Sequence, residues 1–161
     1  MINGGIELDI KVPNQTKYLS LIGRIGEDIA REIDRFSGDR ETLAYQLNLV
    51  LTEAMSNAIK YNRPNGSVII TGNFTDADLS LNIQDTGLGI PEDAVPHLFE
   101  KFFRVREHEG KAAGTGLGLS ICKQIIQGHN GRIEVKSKMG VGTSFNIFLP
   151  RAPRAIPPMD G

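Results

Sequence analysis

The chain contains 161 residues, of which 40% are hydrophobic and 23% are charged. Its 18 glycines are about 11% of the chain, against a typical share of about 7%. This balance is typical of one globular domain and argues against a disordered, collagen-like or membrane-embedded chain. Lysine and arginine number 18 against 19 acidic residues, so the net charge of −1 gives no field that would recruit nucleic acid or an anionic membrane. Because there is one cysteine, Cys122, and neither a signal-like start nor a long apolar run, we predict a cytoplasmic protein without a disulfide.

The first half of the chain predicts one strand, two helices and a hairpin. Apolar residues at every second position predict a strand over residues 6–12, and apolar residues three or four apart predict a helix over about 15–35. Asp39 is a candidate N-cap for a second helix, which ends before a Pro-Asn-Gly turn. Residues 67–75 and 78–85 are β-rich and predict an antiparallel hairpin.

The second half of the chain contains a long segment without clear periodicity, over residues 86–116. A segment of this kind inside a compact domain is typical of a functional lid, which we place at about residues 90–116. A helix over about 117–129 and strands over 131–137 and 143–149 follow. The order β-α-α-β-β-lid-α-β-β predicts a two-layer α/β sandwich.

The domain boundaries follow from the end of this pattern. We assign residues 1–150 to a single domain, because no internal repeat or linker divides them. Residues 151–161 hold three of the eight prolines, directly after Pro150, and are predicted to form a tail outside the core.

Two glycine-rich motifs stand at element boundaries. Asp85–Ile90 (DTGLGI) follows a predicted strand directly, and Gly114–Leu119 (GTGLGL) opens the last predicted helix. Neither extends to G-x-G-x-x-G, and no G-x-x-x-x-G-K-[ST] occurs, which argues against a Rossmann enzyme and a phosphate-binding-loop NTPase. Either motif alone is equally compatible with an ordinary glycine turn.

A polar stripe lies on the second predicted helix. Glu53, Asn57 and Lys60 are four and three residues apart and therefore share one helical face. Such a stripe alone is typical of a solvated surface. In combination with the two glycine motifs it indicates a binding site.

Five segments in this order resemble the N, G1, F, G2 and G3 boxes of the GHKL ATP-binding superfamily. They are Glu53–Tyr61, Asp85–Gly89, Phe99–Arg104, Gly114–Leu119 and Gly140–Phe145. The superfamily comprises gyrase, the large heat-shock chaperone, histidine kinases and the mismatch-repair MutL proteins. The resemblance covers about residues 40–149 and implies the Bergerat fold. In that fold a mixed, mostly antiparallel sheet is covered on one face by helices, and ATP binds between helices and a mobile lid.

The resemblance implies an adenine end of the site. Asp85 is expected to accept a hydrogen bond from the adenine amino group, and Thr143 to support the base through its hydroxyl. Gly87 and Gly89 let the backbone approach the base where a Cβ would clash.

The resemblance also implies a phosphate end, where backbone amides at the start of the last helix hold anionic phosphates. The residues expected there are Gly114, Thr115, Gly116, Leu117, Gly118 and Leu119.

Side chains of the N and F boxes complete the expected phosphate site. Asn57 corresponds to the asparagine that coordinates Mg²⁺ in the family, and an amide oxygen suits that ion. Lys60, Lys101 and Arg104 are expected to contact ATP, although Lys60 and Arg104 are also compatible with exposed basic positions. Glu53, one helical turn before Asn57, is the candidate catalytic residue as general base.

The other reactive side chains are assigned ordinary roles. His97, His108 and His129 lack metal-ligand spacing and are expected on the surface or in packing, and none is expected as a phosphoacceptor. Cys122 lies among isoleucines and is expected to pack as a small apolar residue.

Three functions remain open at this point. We expect the 52 residues before Glu53 to be needed for the sandwich, which would leave no room among them for the phosphoacceptor hairpin of a self-contained histidine kinase. The first half is similar to small anti-sigma-factor serine/threonine kinases, which phosphorylate an antagonist and sequester a sigma factor, so that function is the main hypothesis. The long lid and G2 box are instead similar to histidine kinases, so a catalytic domain acting in trans on a phosphoacceptor and response-regulator system is the first alternative. The second alternative is a nucleotide-dependent binding module without phosphotransfer. Because relatives often form homodimers, a homodimer is also expected as a possible assembly.

Overall fold

The computed structural model describes residues 7–33, 36, 38–75, 77–108, 110 and 113–151. The start of the predicted domain and all but the first residue of the predicted tail lie outside these ranges. The strands are β1 (Glu7–Pro13), β2 (Ser67–Phe74), β3 (Asp78–Asp85), β4 (Arg132–Lys138) and β5 (Gly142–Pro150), and the helices are α1 (Leu19–Glu32), α2 (Arg40–Lys60) and α3 (Gly118–Gly128). Single 3₁₀ turns lie at Thr16–Tyr18, Val95–His97 and Arg106–His108.

The five strands form one sheet in the order β1-β2-β3-β5-β4. All four pairings in the described part of the chain are antiparallel, so the sheet is more uniform than the mixed, mostly antiparallel sheet of the expectation. The register aligns apolar residues across the sheet, because Ile10, Ile70, Ile83, Phe145 and Val135 lie opposite one another in turn. This row belongs to the buried face of the sheet, and the two-layer α/β class is confirmed.

Helix α2 provides the main cover of that face. Its N-cap is Asp39, as predicted, and the Asp39 carboxylate accepts hydrogen bonds from the backbone amides of Glu41 and Thr42 at 3.2 Å each. The cap fixes the first residue of the helix, and one apolar stripe along the helix is buried. The buried residues of α2 are Leu43, Ala44, Leu47, Val50, Leu51, Ala54, Met55 and Ala58.

Helix α1 is shorter than the predicted helix over residues 15–35. It follows a 3₁₀ turn and ends at Glu32, because Ile33 adopts an extended conformation with ψ 101°. Ile22, Ala30 and Ile33 are fully buried in the same core as α2. The apolar periodicity therefore located the helix, whereas it missed the backbone change at each end.

The described residues of the segment predicted as a lid have little regular structure and form their own apolar cluster. Ile90, Leu98 and Val105 are its buried members, and Phe103 and Leu119 pack against them. This lid cluster, as we call it, is separate from the main core.

Among the described helices, none combines the length and apolar character needed to cross a membrane.

Candidate ATP-binding site

A cavity of about 520 Å³ lies between α2, the lid segment and the start of α3. Thirteen of the fifteen residues predicted to bind ATP or act in catalysis line it. They are Glu53, Asn57, Lys60, Asp85, Gly89, Arg104, Gly114, Thr115, Gly116, Leu117, Gly118, Leu119 and Thr143. Residues from five separate stretches of sequence thus meet at one concave surface, which is the usual form of a small-molecule site.

Two predicted residues do not line the cavity. Gly87 is buried directly behind it, and its backbone amide donates to Asp85 Oδ1 at 2.8 Å. Lys101 is exposed on the lid segment and stands apart from the cavity wall. Gly87 therefore acts on the cavity through Asp85, and the structure gives Lys101 no place in the wall.

Asp85 ends β3 and is only 6% exposed. Its Oδ1 accepts hydrogen bonds from the amides of Gly87 at 2.8 Å and Thr143 at 3.2 Å, which leaves Oδ2 for a donor on a ligand. Burial raises the pKa of Asp85 to about 6, although the two amides and the nearby Arg63 act in the opposite direction. A buried carboxylate that keeps one oxygen for a ligand is suited to reading an amino group.

The turn between β4 and β5 approaches Asp85 closely at Gly142. Gly142 has φ +141°, and a Cβ at this position would lie 2.0 Å from the backbone oxygen of Asp85. Gly140, two residues earlier, also has a positive φ of +76°, but a Cβ there would meet no atom within 4 Å. Both glycines have a positive φ, but only at Gly142 would a Cβ clash with neighbouring backbone.

We expect Gly142→Ala to destabilise the domain by more than about 2 kcal/mol and to abolish ATP binding, because backbone must move at Asp85. Gly140→Ala carries backbone strain alone and should cost about 1 kcal/mol with ATP binding retained. Chemical denaturation and calorimetric ATP titration of both variants provide the measurement. Equal losses in the two variants would show that the close approach is unimportant.

Glu53, Asn57 and Gly118 meet at the other end of the cavity. The Asn57 side-chain amide donates to Glu53 Oε1 at 3.2 Å, and a Cβ at Gly118 would lie 2.1 Å from the same oxygen. The glycine thus lets the start of α3 reach Glu53. Leu117, the N-cap of α3, makes no side-chain capping bond, so the first amides of the helix remain available to an anion.

This end of the cavity fits Mg²⁺ as the ion binds in nucleotide sites. Asn57 uses its amide nitrogen on Glu53, which leaves its carbonyl oxygen as the ligand atom. No group of three or more His, Cys, Asp or Glu side chains able to hold a metal occurs within the described residues. Mg²⁺ needs no such group, because it keeps several waters and takes one or two protein ligands together with phosphates.

Nine residues of the wall were not among the predicted site residues, and two of them, Tyr61 and His108, contact each other. Their rings stack with centroids 4.7 Å apart and planes 22° apart, and His108 Nε2 lies 3.0 Å from the Gly89 carbonyl oxygen. His108 was expected either on the surface or in packing; it is 6% exposed and therefore packs inside the fold. No sequence spacing marks this histidine, since its position depends on the path of the lid segment.

Thr143 is held by a small hydroxyl network. Ser137 Oγ accepts from the Ile90 amide at 2.8 Å and lies 3.1 Å from the Gly142 carbonyl oxygen and 2.8 Å from Thr143 Oγ1. Ser137 has one proton, which it can donate either to the Gly142 carbonyl or to Thr143, so either hydroxyl can be the donor of the pair. The contact with Ser137 holds Thr143 Oγ1 in place at the cavity wall.

Comparison with known proteins agrees with this geometry. The model of the family described as histidine kinase-, DNA gyrase B- and HSP90-like ATPase matches residues 42–153. The sensor protein SrrB of Staphylococcus aureus is 42% identical over 108 residues, which are 66% of this chain and 18% of SrrB. The chain therefore spans less than a fifth of the length of this curated relative.

Solved structures of histidine kinases have the same fold. The mycobacterial sensor histidine kinase MprB is 26% identical with a TM-score of 0.65, and the match covers 89% of this chain and 99% of that one. The catalytic domain of histidine kinase ThkA is 25% identical with a TM-score of 0.61, and the match covers 91% and 99%. These relatives favour the histidine-kinase alternative over an anti-sigma serine/threonine kinase. The chain belongs to the histidine kinase-, DNA gyrase B- and HSP90-like ATPase family, and it carries an ATP-binding domain of the histidine-kinase type.

Proposed function

We propose that the domain binds ATP with Mg²⁺ in this cavity and transfers the γ-phosphate to a histidine of a protein acceptor in a two-component system. The observation that carries the proposal is the convergence of thirteen of the fifteen predicted site residues on one cavity. The sensor and histidine-kinase relatives support the choice of histidine as acceptor. The expected cytoplasmic location and possible homodimer belong to the same proposal.

The adenine end of the site is built around Asp85. Its Oδ2 accepts the hydrogen bond of the adenine amino group, while the Gly87 and Thr143 amides hold Oδ1. Gly89 and Thr143 flank the base. A base that carries a carbonyl at the same position would face the carboxylate with an acceptor, so the arrangement selects adenine.

The phosphate end lies at the start of α3. Amides of the Gly114–Leu119 segment hold the phosphate oxygens, and Lys60 and Arg104 neutralise their charge. Asn57 contributes its carbonyl oxygen to Mg²⁺, which supplies charge neutralisation on the phosphates when bound. Lys101 has no place in this scheme, because it lies away from the cavity.

Phosphoryl transfer to histidine forms an N–P bond as the bond between the γ-phosphorus and the β–γ bridging oxygen breaks and ADP leaves. The attacking nitrogen of a neutral imidazole carries no proton, and the proton on the other ring nitrogen is lost afterwards. A hydroxyl acceptor or water differs, because its proton sits on the attacking oxygen. Glu53 is therefore the general base for an oxygen nucleophile, whereas for histidine it acts by orienting Asn57.

The test is the chemistry of the phosphorylated product. The chain is incubated with γ-labelled ATP, Mg²⁺ and a lysate of the cells that express it, and Asp85→Asn is run in parallel to subtract labelling by other kinases. We expect a labelled protein, dependent on the wild-type chain, whose phosphate is lost in acid and kept in alkali, as a phosphoramidate is. Calorimetric titration with ATP measures binding separately.

Other products would identify the other functions. A phosphate that is stable in acid and labile in alkali would favour the serine/threonine anti-sigma kinase, the second candidate, which the position of Glu53 favours because it suits a hydroxyl acceptor. ATP binding without any chain-dependent label would favour the nucleotide-dependent binding module. Failure to bind ATP would contradict all three.

A further inference from the structure

Arg63 joins two glycine-rich turns that lie next to Asp85. It stands in the turn between α2 and β2, and no motif includes it. Its guanidinium Nη2 donates to the Gly87 carbonyl at 3.0 Å and to the Gly140 carbonyl at 2.7 Å. A single nitrogen with two protons thus connects the turn after β3 to the turn between β4 and β5.

Backbone hydrogen bonds around Arg63 also connect these segments, and one of them joins the two turns directly. The Leu88 amide donates to the Tyr61 carbonyl at 3.0 Å, and the Gly140 amide donates to the Leu88 carbonyl at 2.7 Å. The first bond joins the end of α2 to the turn after β3, and the second joins that turn to the turn between β4 and β5. Arg63 adds a side-chain contact to a carbonyl in each of the two turns through one nitrogen.

The position of Arg63 bears directly on Asp85. Gly87 and Thr143 donate the two amide bonds to Asp85 Oδ1, and Arg63 holds the carbonyl of Gly87 and, through Gly140, the turn that leads to Thr143. Its positive charge also favours the ionised form of Asp85. Both amides keep their geometry only while the two turns stay in place.

We propose that Arg63 is a positioning residue for base recognition: it fixes the two turns whose amides orient the Asp85 carboxylate toward the adenine amino group. This inference rests on the proposed function. Arg63 is an exposed residue outside the core, so its replacement should leave the fold intact. Its removal should weaken binding of the base and leave the chemistry at the phosphate end unchanged.

The experiment compares Arg63→Ala, Arg63→Lys and the control Arg24→Ala in the full chain. For each variant we measure the ATP dissociation constant, the rate of ATP hydrolysis at saturating ATP, and thermal unfolding without nucleotide. Arg24 is exposed on α1, away from the cavity, and should behave as wild type. We expect Arg63→Ala to raise the ATP dissociation constant about tenfold with the saturated rate within about twofold, as for a lost charge-assisted interaction. Arg63→Lys keeps a positive charge and a donor but lacks the planar guanidinium. Its ATP dissociation constant should therefore lie between those of wild type and Arg63→Ala.

Three results would overturn the inference. An unchanged dissociation constant in Arg63→Ala, with ATP bound by the wild type, would show that the two carbonyl contacts do not serve binding. A parallel fall in affinity, saturated rate and unfolding temperature would assign Arg63 a purely structural role. A wild-type chain that binds no ATP would overturn the proposed function, and the inference with it.

Discussion

Asp85→Asn should weaken ATP binding by about 10- to 100-fold, because a hydrogen bond to a charged acceptor contributes about 1.5–3 kcal/mol. The Asn side chain keeps one oxygen for the amides of Gly87 and Thr143, but it turns an amide group toward the adenine amino group, so two donors face each other. Calorimetric titration with ATP measures the loss.

The same substitution should not destabilise the unliganded domain. Burial raises the pKa of Asp85 from 3.8 to about 6, so the folded state binds a proton more tightly than the unfolded state. The carboxylate therefore costs folding free energy at neutral pH, at most about 3 kcal/mol, and this cost is relieved as the pH falls from about 6 toward 4. The asparagine side chain carries no charge, so chemical denaturation at pH 7 should show equal or greater stability for Asp85→Asn.

The matched control is Asp78→Asn, which makes the same change at the opposite end of β3. It should leave ATP binding unchanged. If Asp85→Asn bound ATP as tightly as the wild type, Asp85 would not be the adenine acceptor. If it lost binding only because it unfolded, the stability measurement would reveal this.

Glu53→Gln should separate the two possible acceptor chemistries. ATP binding should stay within about twofold of wild type, since Gln keeps an oxygen for the Asn57 amide. The slow hydrolysis of ATP by water should fall about 100-fold or more, because general-base catalysis by a side chain contributes about 10²–10⁴-fold. Transfer to histidine should fall less than about tenfold, because the attacking nitrogen has no proton to lose. Single-turnover assays with labelled ATP measure both rates.

Glu41→Gln is the control for this variant, since Glu41 lies exposed in the first turn of the same helix. Its hydrolysis rate should match wild type. Unchanged hydrolysis in Glu53→Gln would show that the assignment of the base is wrong. A loss of about 100-fold or more in transfer to the protein acceptor would indicate a hydroxyl acceptor instead of histidine.

Most of the fold and of the cavity follows from local patterns in the sequence. Apolar periodicity, β-rich runs and turn residues located the five strands and three α-helices, because each of these elements buries an apolar face that its sequence reveals, whereas the short 3₁₀ turns were not predicted. The glycine motifs located both ends of the site, since backbone that approaches a ligand or another chain segment cannot carry a Cβ. The spacing of Glu53 and Asn57 likewise placed both on one face of α2, where they form a hydrogen bond.

The residues that sequence reasoning missed depend on contacts between distant segments. His108 enters the cavity wall only because the lid segment folds back over Tyr61, and Arg63 gains its role from carbonyls 24 and 77 residues away. Carbonyl groups are present at every residue, so no pattern of residue types marks these partners. Lys101 shows the converse, since its place in a recognisable motif did not bring its side chain to the cavity.

The separation of the lid cluster from the main core has a consequence for how the domain opens. The buried residues of the lid cluster are not part of the large core beneath α1 and α2. Cooperative opening follows contiguous packing, so the small cluster forms a unit with a lower opening free energy than the sheet. Amide hydrogens of the lid segment should therefore exchange with solvent at rates set by this local equilibrium, while those of β3 and β5 exchange only when the whole domain unfolds. A nucleotide can then enter and leave many times within the lifetime of one folded molecule.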